Sequence, residues 1–121
     1  MIELYGLKNC DSCRAARRWL EAQNLDYRFH DLRENPPTKT QLSRWLKSLS
    51  AEVLVNRQSA AWRGLSESER ALLQKGQAAA LISKYPALIK RPLIERGEKL
   101  SVGFGAAQKA ALKPREKLNP L

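Results

Sequence analysis

Apolar and polar positions along the chain fall into short blocks with two distinct periods. Residues 2–7 are an apolar run carrying Ile2, Leu4 and Tyr5, closed by Gly6 and then the polar pair Lys8-Asn9. That is the pattern of a buried strand. From Asp11 the period becomes helical, with Ala15, Ala16, Trp19, Leu20 and Gln23 on one stripe and Arg14, Arg17, Arg18 and Glu21 on the other. Asp11 or Ser12 is expected to cap its first turn, and Asn24 to end it. Over 25–32, Tyr27 and Phe29 alternate with Arg28 and His30, which predicts a second strand and completes a β-α-β unit.

The turn-rich Arg33-Glu34-Asn35-Pro36-Pro37 then breaks the chain. Thr38 and Gln41 have the spacing of a capping box ahead of an apolar face at Leu42, Trp45, Leu46 and Leu49. Residues 54–64 have no sustained period and read as irregular. Ser66 and Glu69 offer a second capping box for a helix through Leu73, and a further helix spans 77–85 until Pro86 stops it. Leu88 to Ile94 leads into a strand, a turn at Gly97 and a strand over 99–103, which together form a hairpin. Ala106 to Leu112 reads as a final helix, and 113–121 as a basic, frayed tail. The order predicts an α/β domain over 1–112, a mixed sheet flanked by helices with the middle helices as an insertion.

A chain of 121 residues with 43% hydrophobic and 28% charged positions has the composition of a globular domain rather than a disordered one. No stretch approaches the ~20 apolar residues of a membrane span, and the first residues lack the basic and apolar regions of a signal peptide. A cytosolic location without membrane association is therefore expected. The net charge of +10 biases the chain toward anionic small molecules or an acidic protein surface. Its basic residues are spread along the chain and no nucleic-acid motif accompanies them, so direct nucleic-acid binding is not expected.

The candidate chemistry lies in Asn9-Cys10-Asp11-Ser12-Cys13, which holds both cysteines. A cysteine at the point where a strand ends and a helix begins faces the helix's free N–H groups and positive dipole end, which favour thiolate. Lys8 and Arg14 are expected to add positive potential and Asp11 to oppose it, so Cys10 should titrate below an ordinary thiol. Cys13, one helical turn behind, is placed to attack a mixed disulfide on Cys10 and release the partner. Zinc would need a fourth ligand beyond the two cysteines and the single His30, and His30 is separated from them by a whole helix; no metal site is expected. His30 reads as a strand residue, and Trp19, Trp45 and Trp62 as packing.

Tyr5-Gly6-Leu7-Lys8-Asn9-Cys10-Asp11, followed by Ala15 through Leu20, resembles the arsenate reductase (ArsC)/Spx/YffB family. Phe29-His30-Asp31, Asn56-Arg57, residues 61–65, Lys90-Arg91-Pro92-Leu93-Ile94 and Val102-Gly103-Phe104 continue the likeness, with an order and spacing most similar to the YffB branch. The resemblance implies a thioredoxin-like fold with a helical insertion, and Cys10 as nucleophile. It further implies that Arg57 and Arg91, with Lys8 nearby, meet an oxyanion or a carboxylate of glutathione. Pro92 takes the place of the cis proline opposite the nucleophile. Where arsenate reductases carry a third arginine, this chain has Val102-Gly103-Phe104, while Cys13 matches the Cys-x-x-Cys of Spx regulators. The expectation is a glutathione-dependent thiol–disulfide reductase with no bound cofactor and glutathione as co-substrate. The alternatives are an Spx-like redox sensor that binds RNA polymerase, or an arsenate reductase.

Overall fold

The computed structural model describes residues 1–112, so the expected tail over 113–121 lies outside the described residues. Ile2–Gly6 (β1) pairs in parallel with Tyr27–Asp31 (β2), and between them runs a helix over Asp11–Ala22 (α1). On its other side β1 pairs antiparallel with Leu93–Arg96 (β3), which turns at Gly97 into Lys99–Val102 (β4). The sheet order is β2-β1-β3-β4. A last helix, Ala106–Leu112 (α6), follows the hairpin.

The pleat divides the core between the two faces of this sheet. Ile2, Leu4 and Ile94 meet Ala16 and Leu20 of α1 and Leu112 of α6 on one face. Tyr5 and Leu93 point to the other, where they meet the insertion. The insertion comprises Lys39–Leu54 (α2), Ala60–Arg63 (α3), Glu67–Gln74 (α4) and Ala78–Lys84 (α5), ending in a 3-10 turn over Pro86–Leu88. Trp45 of α2, fully buried, packs edge-on against Tyr5 with ring centroids 4.8 Å apart. This is a thioredoxin-like fold with a mixed sheet and a helical insertion.

Both expected capping boxes are present, Thr38 with Gln41 and Ser66 with Glu69. The start of α1 differs: neither Asp11 nor Ser12 caps it, because the helix begins one residue sooner and Cys10 itself occupies the N-cap position. Its buried stripe is Cys13, Ala16 and Leu20, while Ala15 is exposed. Residues 54–64 are more ordered than their lack of period suggests. Ser59 caps α3 by accepting the Trp62 N–H, a helix too short to show a repeat in sequence. Val55 bridges to Ile89, the Lys90 N–H reaches the Leu54 carbonyl, and the Asn56 N–H reaches the Leu88 carbonyl, both at 2.8 Å. These bonds fasten the insertion to the segment that carries Arg91. Within α2, Ser50 sits at φ 66°, ψ 159°, where the helix kinks.

Candidate active site

Three stretches of chain meet at the carboxyl end of β1: the loop after that strand, the first turn of α1, and the segment before β3. Cys10 has extended backbone angles, its N–H is held by the Leu7 carbonyl at 3.2 Å, and its carbonyl accepts the Arg14 N–H at 2.9 Å. The loop is clamped from below by Asp31 at the end of β2. Its buried carboxylate accepts the backbone N–H groups of Lys8, Arg33 and Glu34 at 3.1, 2.8 and 3.2 Å. Burial would raise this acid's pKa, but the three donors prevail and hold it below the usual carboxylate range.

The Cys10 sulfur lies 3.1 Å from Ser12 Oγ, which in turn lies 3.4 Å from the Arg91 carbonyl oxygen. A hydroxyl has one proton to give. While Cys10 is a thiol it donates to Ser12, and Ser12 donates to Arg91; once Cys10 ionises, the Ser12 proton turns to the sulfur. Burial by itself would raise the Cys10 pKa. The hydrogen bonds from Ser12, from the Cys13 N–H and thiol, and from Arg91 outweigh it, and the thiol falls from 9.0 to about 7. At neutral pH a large fraction is therefore nucleophilic thiolate.

Cys13 is opposite in every respect. It is fully buried against β1, and burial, reinforced by neighbouring Cys10, pushes its thiol up to about 12. Gly6 makes this packing possible, since a Cβ there would collide with the Cys13 sulfur. Arg91 is braced by donating from Nη1 to the Ala87 carbonyl at 2.8 Å, and its buried Nε has no hydrogen-bond partner among the described residues. The Arg91–Pro92 peptide is cis, and the Pro92 carbonyl accepts the Gly103 N–H at 2.9 Å.

Other residues singled out in the sequence have different surroundings. The Lys8 ammonium pairs with Glu34 at 2.8 Å and Arg14 with Asp11 at 2.6 Å, all four side chains exposed. Each cation is thus matched by a carboxylate and screened by water, and the lowered Cys10 pKa is owed to Ser12, Cys13 and Arg91 instead. Arg57 is exposed, its guanidinium 5.5 Å from the Trp62 ring centroid on a separate cleft shared with Glu67 and Arg70. Its neighbour Asn56 bonds the turn that leads to Arg91, but among the described residues no hydrogen bond joins Arg57 to Cys10. His30 bonds Glu3 at 2.6 Å and stacks on Tyr5 at 4.5 Å, within the strand face where its pattern placed it.

Two contributors, Ser12 and Asp31, had no role at the thiol assigned from sequence, although Asp31 stands in a stretch that carries the family resemblance. Ser12 was legible only as a cap: its contact with the Cys10 sulfur spans just two positions, but its hydroxyl is free to make it only because the cap role falls to Cys10, and its second partner, the Arg91 carbonyl, is 79 positions away. Asp31 had a signal: an aspartate closing a strand, followed by polar residues, is placed to take the N–H groups of the following turn.

A family model described as the ArsC family matches residues 5–112. A solved YffB protein is 33% identical, covering 94% of this chain and all of its own, with a TM-score of 0.87. A solved arsenate reductase-related protein from Brucella melitensis is 40% identical, covering 92% of each chain, with a TM-score of 0.73. The global transcriptional regulator Spx 1 of Lactococcus lactis is 29% identical over 96% of this chain and 91% of its own. With the motif, the fold and this match in agreement over nearly all of the described residues, the chain belongs to the ArsC family.

Proposed function

We propose that this protein is a glutathione-dependent thiol–disulfide reductase with Cys10 as its nucleophile. The observation that carries the reading is the Cys10 sulfur at the start of α1, 3.1 Å from Ser12 Oγ and with its pKa lowered to about 7. The Cys10 thiolate attacks one sulfur of a disulfide; a new S–S bond forms, the old one breaks, and the leaving sulfur departs with the electron pair as a thiolate. A glutathione thiolate then attacks the mixed disulfide and returns Cys10 to its reduced form. Cys13 is the other candidate resolver, but its thiol must first lose a proton it holds up to about pH 12. Arg91 supports an anionic partner: its guanidinium, half-buried and braced by the Ala87 carbonyl, acts on the Cys10 sulfur and has the fork that holds a carboxylate. The Val102-Gly103-Phe104 segment, without the third arginine, favours disulfides over arsenate as substrates.

A second reading is an Spx-like redox sensor that binds RNA polymerase. It is favoured by the Cys10–Cys13 pair and by the likeness to Spx 1 over nearly the whole chain. Intact mass after exposure to oxidised glutathione, with peptide mapping of wild type and Cys13→Ser, separates the two. The reductase reading expects a glutathione adduct on Cys10, retained in Cys13→Ser. An internal Cys10–Cys13 disulfide in wild type, with the adduct accumulating only in Cys13→Ser, would favour the sensor, and unmodified cysteines throughout would refute both.

A further inference from the structure

A cavity of about 430 Å³ opens between the loop after β2 and the end of α5. Neither Cys10 nor Arg91 lines it, but each is one hydrogen bond away from a residue of its wall. Leu7, on one wall, gives its carbonyl to the Cys10 N–H, and Ala87, on the other, gives its carbonyl to Arg91 Nη1. The main-chain segments that hold the nucleophile and the guanidinium are thus also the walls of the cleft.

Its lining has one chemical character inside and another at the mouth. Leu7, Ala61, Tyr85 and Pro86 are all only half-buried around the buried Leu32, which leaves apolar surface open in a chain of net charge +10. Clustered apolar surface of this kind, one residue removed from the main chain that holds a nucleophile, marks a place for a ligand. At the mouth Arg33 is exposed and makes no ion pair among the described residues, while Lys84 is shared with Glu69 at 3.5 Å. The free charge is therefore cationic. Glutathione, acidic at both ends and without an apolar body, leaves such a floor uncovered. The volume lies within the range of about 300–1,000 Å³ typical of small-molecule sites.

We propose that this cleft holds the apolar body of a small organic disulfide bearing a carboxylate, which meets Arg33 while Cys10 attacks the sulfur. This rests on the nucleophilic role of Cys10 and specifies the oxidised substrate; glutathione keeps its place as the resolving thiol. In the first step the Cys10 thiolate bonds one sulfur, the S–S bond breaks, and the carboxylate-bearing half of the substrate not captured leaves as a thiolate.

The test compares two disulfides: dithiobis(nitrobenzoate), aromatic and acidic, and hydroxyethyl disulfide, neutral and small. Initial rates of Cys10 modification are followed by the coloured thiolate for the first and by mass for the second, in wild type, Ala61→Trp, Ser83→Trp and Arg33→Glu. Both Ala61 and Ser83 line the cleft; Ser83 is exposed, so its tryptophan fills the cleft from outside, whereas Ala61 is half-buried against the core and its variant is checked for folding by urea unfolding. The expected result is saturation by the aromatic disulfide in wild type and a loss of about tenfold in its rate for at least one tryptophan variant, the scale of a lost apolar fit. Arg33→Glu should slow the same disulfide, and all four proteins should modify at equal rates with hydroxyethyl disulfide. Equal rates with the aromatic disulfide in all four proteins would overturn the cleft assignment while leaving the nucleophile intact, as would a parallel loss with both disulfides. Failure of wild-type Cys10 to react with either disulfide would overturn the reductase reading together with it.

Discussion

At the scale of single residues, two cysteines three positions apart are made unlike each other by what surrounds them. Cys10 has the helix N-cap, the Ser12 hydroxyl and Arg91; Cys13 has the packed floor of β1. Alkylation of Cys10 should accelerate as pH rises through about 7 and level off above it, because the thiolate is the reacting form. Ser12→Ala, removing a charge-assisted hydrogen bond, should move that midpoint upward by about one pH unit, and Ser12→Thr should restore it. An unmoved midpoint would mean that the hydroxyl faces Arg91 alone. Arg91→Ala should weaken glutathione binding by about 1.5–3 kcal/mol, measured by calorimetry with the reduced tripeptide. Equal affinity in the variant would remove Arg91 from the binding site.

Among the elements, the junction of β1 and α1 is the most constrained. Gly6 pairs with Asp31 in the parallel ladder and leaves the space that the Cys13 side chain fills. Gly6→Ala should therefore destabilise the fold by about 1–3 kcal/mol, the cost of overpacking a filled core, and shift the Cys10 alkylation midpoint because α1 must move outward. Urea unfolding and the alkylation profile read the two effects separately; a variant unchanged in both would show that α1 is not seated against the strand. How far such elements were legible varied with length. The capping boxes at Thr38 and Ser66 and the final helix over 106–112 follow from local sequence, because the bonds that fix them span only a few residues. The four-residue α3 did not, since a single turn shows no repeat and its order comes from Ser59 and from contacts with the 3-10 turn.

Over the whole molecule, the insertion and the charge act together on the site. The insertion buries Tyr5 and Leu93 and fastens the Arg91 segment through Val55, Asn56 and Leu54, so a guanidinium far away in sequence is held beside the thiol. The net charge of +10 draws anions from a distance. Raising ionic strength should slow the reaction of Cys10 with oxidised glutathione more than with neutral hydroxyethyl disulfide, as screening shortens the reach of the field. Stopped-flow rates across a salt series measure this, and parallel slopes would show that the charge does not steer substrate.

The β-α-β opening, the hairpin and closing helix, and a cysteine at a strand-to-helix junction are all legible in the linear order of residues, because each rests on periodicity or on contacts within a few residues. That order also carried the family, through motifs distributed along most of the chain. Which groups act on that cysteine follows from packing in space. Lys8 and Arg14, near it in sequence, are neutralised by Glu34 and Asp11, whereas Arg91, from the far end of the chain, shares its hydrogen-bonded cluster. Hydrogen bonds and desolvation act over a few ångströms of space, and distance along the chain does not measure that space.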